Sequence, residues 1–472
     1  MYIKQLTLNN FRGFTDLAIP FMDEARDGQP SKTVVLIGNN GAGKTAILDA
    51  LKINLSWLVA RINRTNGNGS PISDSDIHNG QPYADIGLQL QYQEDLYFWR
   101  VAKTSRGSSK ISSSLLHDAS RLALSFQAQL ALAPTSAALP LIAYYPVERV
   151  VLDIPLKIKT RHSFGQLDGY DNALQQGVDF RRFFEWFRDR EDYENEAQIQ
   201  KISDIFDKFR NQPVPAQYSN IDDYMASLYG DEYQNMMLTF KFNTIDKVNA
   251  STKDRQLNAV RSAINSFMPQ FEMLRIQRKP RLQMLVEKHG KTLDVTQLSQ
   301  GEKSMMALVG DIARRLAIMN PALENPLEGY GIVLIDEIDL HLHPNWQRAI
   351  IGNLNKTFPN CQFVLSTHSP IVISESPDLL CYSLDNGVLQ KLDNLYGMDV
   401  NQVLLQDMDA DIRNANIQEA FDDLRDNLQD GKLEEAKTLL ADLEQKISID
   451  NLELNKAKLL IRRLEAQRAA NR

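Results

Sequence analysis

The chain has 472 residues, 43% of them hydrophobic and 24% charged, which is ample material for the core of a soluble globular protein. A formal net charge of −8 excludes a global basic footprint for nucleic acid, so contact with DNA would need a local patch or a partner that supplies the charge. Cys361 and Cys381 stand in apolar surroundings at no metal or disulfide spacing and read as buried thiols of a reducing cytosol. No signal-peptide pattern opens the chain. The most apolar window, Leu122 to Tyr145, is broken by Gln127, Gln129, Pro134 and Pro140, so no membrane contact and a cytoplasmic location are expected.

Taken in order, Tyr2 to Leu8 has strand-type residues, and Phe11-Arg12-Gly13-Phe14 turns the chain back toward Leu17-Ala18-Ile19. The charged stretch Asp23 to Lys32 reads as a loop. The apolar run Val34 to Ile37 then meets Gly38-Asn39-Asn40-Gly41-Ala42-Gly43-Lys44-Thr45, which fits G-x-x-x-x-G-K-[ST] at every fixed position and opens a helical pattern from Ala46. Strand, glycine turn and helix form the context of a phosphate-binding loop. The backbone of residues 39–43 curls its N–H groups around phosphate oxygens, and the helix presents its positive end. Lys44 is expected to reach the β- and γ-phosphates, and the Thr45 hydroxyl to ligate Mg²⁺. ATP and Mg²⁺ are the expected cofactors.

A polar loop, Asn63 to Pro82, leads to an antiparallel hairpin at Ala84 to Tyr92 and Tyr97 to Val101. Pro140 to Tyr145 is an apolar strand. From about residue 165 to 265 the pattern is helical, with Phe183, Phe184, Trp186 and Phe187 on a helix face, read as core rather than as a base-stacking platform. Strand signal resumes at Phe271 to Ile276 and Leu282 to Val286. Near them Arg275, Arg278, Lys279 and Arg281 form the best local basic cluster, read as a solvated hairpin face before a nucleic-acid site. Beyond residue 395 the chain is helical, with apolar faces Phe421/Leu424/Leu428 and Leu433/Ala436/Leu440/Leu443 broken at Gly431.

Three further motifs carry chemistry. Ile332 to Ile335 is an apolar strand ending in Asp336-Glu337; Asp336 is expected on Mg²⁺ and Glu337 as general base on the attacking water. Leu298-Ser299-Gln300-Gly301-Glu302 departs by two residues from the ABC signature L-S-G-G-Q. Ser299 and the Gly301 backbone at its helix start still make an anion site. Phe363 to Ser366 ends in Thr367-His368, which places His368 to donate to the γ-phosphate. His341 and His343, after Asp339, read as packing and interface groups rather than zinc ligands.

With these motifs in this order, the chain resembles the ABC-class ATPase heads of the RecF/SMC/Rad50 group over residues 1–150 and 270–385. The resemblance implies an α/β fold: an ABC-type ATPase head with a P-loop NTPase core sheet and an antiparallel β subdomain. A helical insertion and a helical C-terminal tail complete it. It implies that the signature of one head faces the γ-phosphate held by another, hence a homodimer or higher homo-oligomer. It also implies that Arg12, within Asn10-Phe11-Arg12-Gly13-Phe14, lies near the nucleotide. The glutamine that completes Mg²⁺ coordination in such heads has no clear counterpart; Asp76, Gln81 and Gln89 are in range, Asp76 preferred. A finer resemblance, to PtuA-type ATPases of Septu and retron anti-phage systems, rests on looser patterns. These are overall length, Tyr144-Tyr145-Pro146-Val147-Glu148-Arg149, the aromatic and acidic run at 183–196, and the tail after Leu395-Tyr396-Gly397.

That finer resemblance implies a regulatory ATPase that hydrolyses slowly and partners an HNH nuclease of the PtuB type, with DNA met through the complex. The expected divisions are an N-terminal lobe 1–150, a helical insertion 151–268, a C-terminal lobe 269–395 and a partner-docking helical region 396–472. Asp407, Asp409 and Asp411 mimic an acidic nuclease triad but read as solvated carboxylates at a helix start, so this chain is not expected to cut DNA itself. The competing reading is a stand-alone RecF-like DNA-repair ATPase.

Overall fold

The computed structural model describes the chain except residues 24–28, 109–111, 134–135, 148–163, 176–179, 386, 401, 404–413, 448–450 and 471–472. Glu148, Arg149 and the acidic stretch 407–411 therefore lie outside the described residues. The described chain falls into two compact units, Met1–Gly397 and Met398–Arg472.

In the first unit, β1 (Tyr2–Phe11) pairs with β2 (Phe14–Pro20), and the short ladder β3 (Met22–Asp23) and β4 (Gln29–Pro30) precedes β5 (Thr33–Ile37). After α1 (Lys44–Asn63) come β6 (Tyr83–Tyr92), β7 (Asp95–Thr104), α2 (His117–Leu132) and β8 (Leu141–Tyr145). Four helices follow: α3 (Phe180–Arg210), α4 (Ile221–Tyr229), α5 (Glu232–Ser251) and α6 (Arg255–Phe267). Next are β9 (Phe271–Gln277), β10 (Gln283–Lys288), β11 (Lys291–Asp294), α7 (Gln300–Met319), β12 (Gly331–Ile335) and α8 (Pro344–Thr357). The unit closes with β13 (Cys361–Ser366), α9 (Pro370–Ser374), β14 (Leu380–Asp385) and β15 (Val388–Leu392).

The central sheet has six strands in the order β15-β14-β5-β13-β12-β8. All neighbours from β14 to β8 are parallel, and β15 is antiparallel at the edge. Every residue of β5, β8, β12 and β13 is buried, which explains why these segments read as unbroken apolar runs rather than alternating ones. Register aligns their carboxyl ends: Leu36 lies opposite Ser366, Leu365 opposite Ile335, and Ile335 opposite Tyr145. The loops leaving β5, β12 and β13 therefore emerge side by side, the place where an open parallel sheet binds ligand.

A four-stranded antiparallel sheet, β2-β1-β6-β7, forms the expected β subdomain, and a three-stranded one, β11-β10-β9, leads into α7. Phe183, Phe184, Trp186 and Phe187 are fully buried, as core. Phe183 packs on α7 at Gly310, where a Cβ would stand 2.9 Å from its ring. The pattern did not announce α2, whose Leu122, Ala123 and Phe126 are buried within the same apolar window that leads into β8. Cys361 and Cys381 are buried free thiols. No helix among the described residues is long and apolar enough to cross a membrane.

Helix α7 is buried on nearly all sides, charges included. Asp311 accepts from Arg314 at 2.6 Å and from Arg315 at 2.7 Å, and Tyr145 donates to it at 3.0 Å. Arg315 in turn donates to the carbonyls of Gly169 and Asp171, tying the helix to the turn after Gln166–Tyr170. Burial pushes the Asp311 carboxyl up, but the two guanidinium groups outweigh it and hold the group below its ordinary range. Asp311→Ala would leave two buried cations without their anion, and should cost about 3–5 kcal/mol. A shift in the denaturant midpoint checks this.

The described residues of the second unit include the helices Ala415–Gln429, Leu433–Lys446 and Leu452–Ala470. Its core comprises Phe421, Leu424, Leu433, Ala436, Leu443, Leu454, Ala457 and Ile461. Gly431, at φ 73°, makes the turn between the first two helices.

Candidate functional site

The phosphate loop leaves β5 with glycines at positive φ: Gly38 at 140°, Gly41 at 84° and Gly43 at 108°. Two of them are also forced by contact. A Cβ at Gly38 would stand 2.2 Å from the Leu384 carbonyl, and one at Gly43 would stand 2.6 Å from the Phe14 ring. The turn Phe11 to Phe14 thus buttresses the loop from the antiparallel sheet. Lys44 Nζ donates to the carbonyls of Gly38 at 2.7 Å and Asn39 at 3.1 Å, so the ammonium rests within its own loop. Burial lowers the Lys44 pKa, opposed by Asp336, Glu337 and Asp339.

Across the cavity, Thr45 Oγ1 donates to Asp336 Oδ2 at 2.9 Å. Asp336 Oδ1 accepts from the hydroxyl of Ser366, and Ser366 accepts from the Glu337 N–H at 2.8 Å. Glu337 sits at φ 46°, an unusual backbone for a residue with a Cβ, held by that bond just past the end of β12. Thr367 Oγ1 donates to Asp339 Oδ1 at 2.5 Å, and the His368 N–H to the same oxygen at 3.3 Å, which fixes the turn that carries the histidine. A cavity of about 190 Å³ is lined by Asn40, Gly41, Gly43, Lys44 and Thr45 on one side and by Asp336, Glu337 and His368 on the other. That is smaller than the roughly 300–1,000 Å³ of a whole small-molecule site, and suits the phosphate end of a nucleotide. Its chemistry fits Mg²⁺ as well: a hydroxyl and a carboxylate, both hard oxygen donors, face each other across it.

Asn39 and Ala42 complete the loop without lining the cavity. Arg12 and Asp76 also lie outside the lining, and they are committed to each other. Arg12 Nε donates to Asp76 Oδ1 at 2.8 Å, while its Nη1 donates to Asp49 Oδ2 at 2.8 Å. The second Asp76 oxygen accepts from the Ser73 N–H at 3.1 Å and from its hydroxyl. Burial raises the Asp76 carboxyl, but Ser73 and Arg12 outweigh it and hold it below the ordinary range. The geometry gives Asp76 the task of anchoring Arg12, which reaches α1 through Asp49. Ser299 caps α7, and a Cβ on Gly301 would stand 2.4 Å from the His341 carbonyl; neither residue lines the phosphate cavity. Of the basic cluster, Arg278 pairs with Glu191 and Asp192, and Arg275, Lys279 and Arg281 are exposed. Among the described residues no group of three or more His, Cys, Asp or Glu could hold a metal by itself.

Sequence reasoning missed Ser366, Asp339, Phe14 and Asp49. All four lie within or beside quoted motifs, but their roles depend on pairings across the fold.

Parallel sheet, β subdomain and paired motifs define an ABC-type ATPase head. Residues 34–374 match the family described as "AAA domain, putative AbiEii toxin, Type IV TA system". The chain is 34% identical to the "Retron Ec83 probable ATPase" of Escherichia coli, over 83% of this chain and 71% of that one. It is 43% identical to "Septu protein PtuA" of Bacillus mycoides over a shorter stretch, 16% of this chain and 10% of that one. A solved structure of an SmcHead bound to the C-winged helix domain of ScpA aligns with a TM-score of 0.43 at 16% identity, over 83% of this chain and 98% of that one. The chain belongs to that AAA family, together with the retron-type probable ATPases.

Removing the Ser366 hydroxyl should loosen Asp336 and free the Glu337 backbone. Ser366→Ala is expected to lower Mg²⁺-supported ATP turnover by about 10–100-fold. Binding of ATP in the presence of a chelator should change little, and the two assays read together check the assignment.

Proposed function

We propose that this ATPase binds ATP with Mg²⁺, hydrolyses it slowly, and through nucleotide-dependent pairing of two heads controls a separately encoded HNH nuclease. The observation that carries the reading is the continuous chain Thr45–Asp336–Ser366–Glu337, which sets one hydroxyl and two carboxylates along a phosphate-sized cavity. Lys44 exchanges its two loop carbonyls for phosphate oxygens when nucleotide enters. Thr45 and Asp336 would hold Mg²⁺, which would supply positive charge to neutralise the phosphate oxygens. Glu337 takes the proton of the attacking water, and His368, on the same wall of the cavity, donates to the γ-phosphate.

The anion site at Ser299 and Gly301 lies off this cavity, which fits a role toward the nucleotide of a second copy. The helical unit Met398–Arg472 is assigned to docking the nuclease, and DNA is met through that complex in the cytoplasm. The homologues named for retron and Septu systems favour this reading over a stand-alone repair ATPase.

Glu337→Gln keeps the shape of the site but removes the base, so turnover should fall by about 10²–10⁴-fold. The same variant should accumulate as an ATP-bound dimer in light scattering. Hydrolysis unaffected by the change would overturn the catalytic assignment. Co-expression with the neighbouring reading frame should give a stable complex; if the chain alone instead shows strong DNA-stimulated hydrolysis and no nuclease co-purifies, the repair reading takes its place.

A further inference from the structure

An ion pair that the proposed chemistry leaves unused sits at the start of α7. Lys288, the last residue of β10, donates to Glu302 Oε1 at 2.6 Å. The Glu302 side chain is 9% exposed and that of Lys288 27%. The other carboxylate oxygen, Oε2, accepts from Ser299 twice, from its N–H at 3.0 Å and from its hydroxyl at 2.9 Å. The Lys288 ammonium also lies 5.6 Å from the centre of the Phe271 ring, which fixes its approach. Burial would push the Glu302 carboxyl up, but Lys288 and Ser299 outweigh it, so the group stays ionised.

The consequence is electrostatic. Ser299 is the residue that meets the triphosphate of a second head in the reading above, yet its hydroxyl proton points at a carboxylate. An anion arriving there meets a like charge unless that charge is cancelled on the spot, and juxtaposed like charges across an interface cost enough to prevent association. A glutamine at 302 would pose no such problem. With glutamate, the positive end of α7 is offset by its own third residue.

We propose that Lys288 is a positioning residue of the nucleotide-bridged head pair. By neutralising Glu302 and holding its Oε1, it lets Ser299 and the α7 N-terminus receive the triphosphate bound by a second copy of this chain. The Ser299 hydroxyl can turn from Glu302 to a phosphate oxygen because Lys288 stays behind to compensate the carboxylate. This inference rests on the head-pairing reading.

The test uses the full chain carrying E337Q, with ATP and Mg²⁺, and reads self-association by sedimentation velocity. In that background K288M should weaken ATP-driven pairing by about 10–100-fold, and K288R should largely retain it. Adding E302Q to K288M should restore pairing to within about threefold of the parent, because no charge is then left to compensate. A merely structural role for Lys288 would give no such rescue. Should K288M melt early by circular dichroism, K288Q with and without E302Q gives the same comparison. Pairing by K288M as tight as the parent's, or loss that E302Q does not repair, overturns the proposal. If the E337Q parent never pairs with ATP, head pairing itself fails and the role of Lys288 falls with it. That outcome is distinct from a loss confined to Lys288 variants.

Discussion

Asp336 is held by both oxygens, one by Ser366 at the end of the adjacent strand β13 and the other by Thr45 at the start of α1, and the geometry of the site depends on that double hold. Thr45 belongs to the segment leaving β5, Ser366 to the end of β13 beside it, and Asp336 to the end of β12, the next strand in the sheet. The three ends meet because the strands are parallel and in register, Leu36 against Ser366 and Leu365 against Ile335. A slip of one residue would turn every side chain to the opposite face and separate the two bonds. Sheet register is therefore the first determinant of the geometry of the site, and the buried β-branched and aromatic residues of β5, β12 and β13 are what pin it.

Much of this was legible before any coordinates. The loop Gly38 to Thr45, the Asp336-Glu337 pair and His368 each follow an apolar run, and a run that is buried on both faces needs no partner to be recognised. What pattern reading could not supply was pairing. Ser366 reads from sequence as the end of a strand, yet nothing local says that its hydroxyl would bridge Asp336 and the Glu337 backbone. Position along the chain alone favours Asp76 on Mg²⁺, whereas the folded chain engages both its oxygens with Arg12 and Ser73. Helix α2 was obscured for a different reason: its apolar residues run straight on toward the strand β8, so the window carried two periods at once.

Helix α7 couples these parts. At its start Ser299 and Glu302 form a capping box; in its middle Asp311, Arg314 and Arg315 close a buried charge cluster; and Arg315 reaches the carbonyls of Gly169 and Asp171. Tyr145, the last residue of β8, donates to Asp311, so the sheet edge nearest β12 is tied to the same helix. A helix anchored in this way moves as a rigid piece with the sheet, since shifting it alone would strip partners from charges that have no water to replace them.

That rigidity bears on how occupancy of the phosphate site could be felt at a distance. The Glu337 backbone, already in an uncommon conformation, shares Ser366 with Asp336, and Asp339 is bonded to both Thr367 and the His368 backbone. Just beyond, the carbonyl of His341 stands 2.4 Å from where a Cβ on Gly301 would be, so the segment after Glu337 is in close contact with the start of α7. Only glycine permits that approach. The strained residue, the hydrogen-bonded turn and the glycine contact form a continuous path of a few residues from the reacting groups to the helix that would face another head.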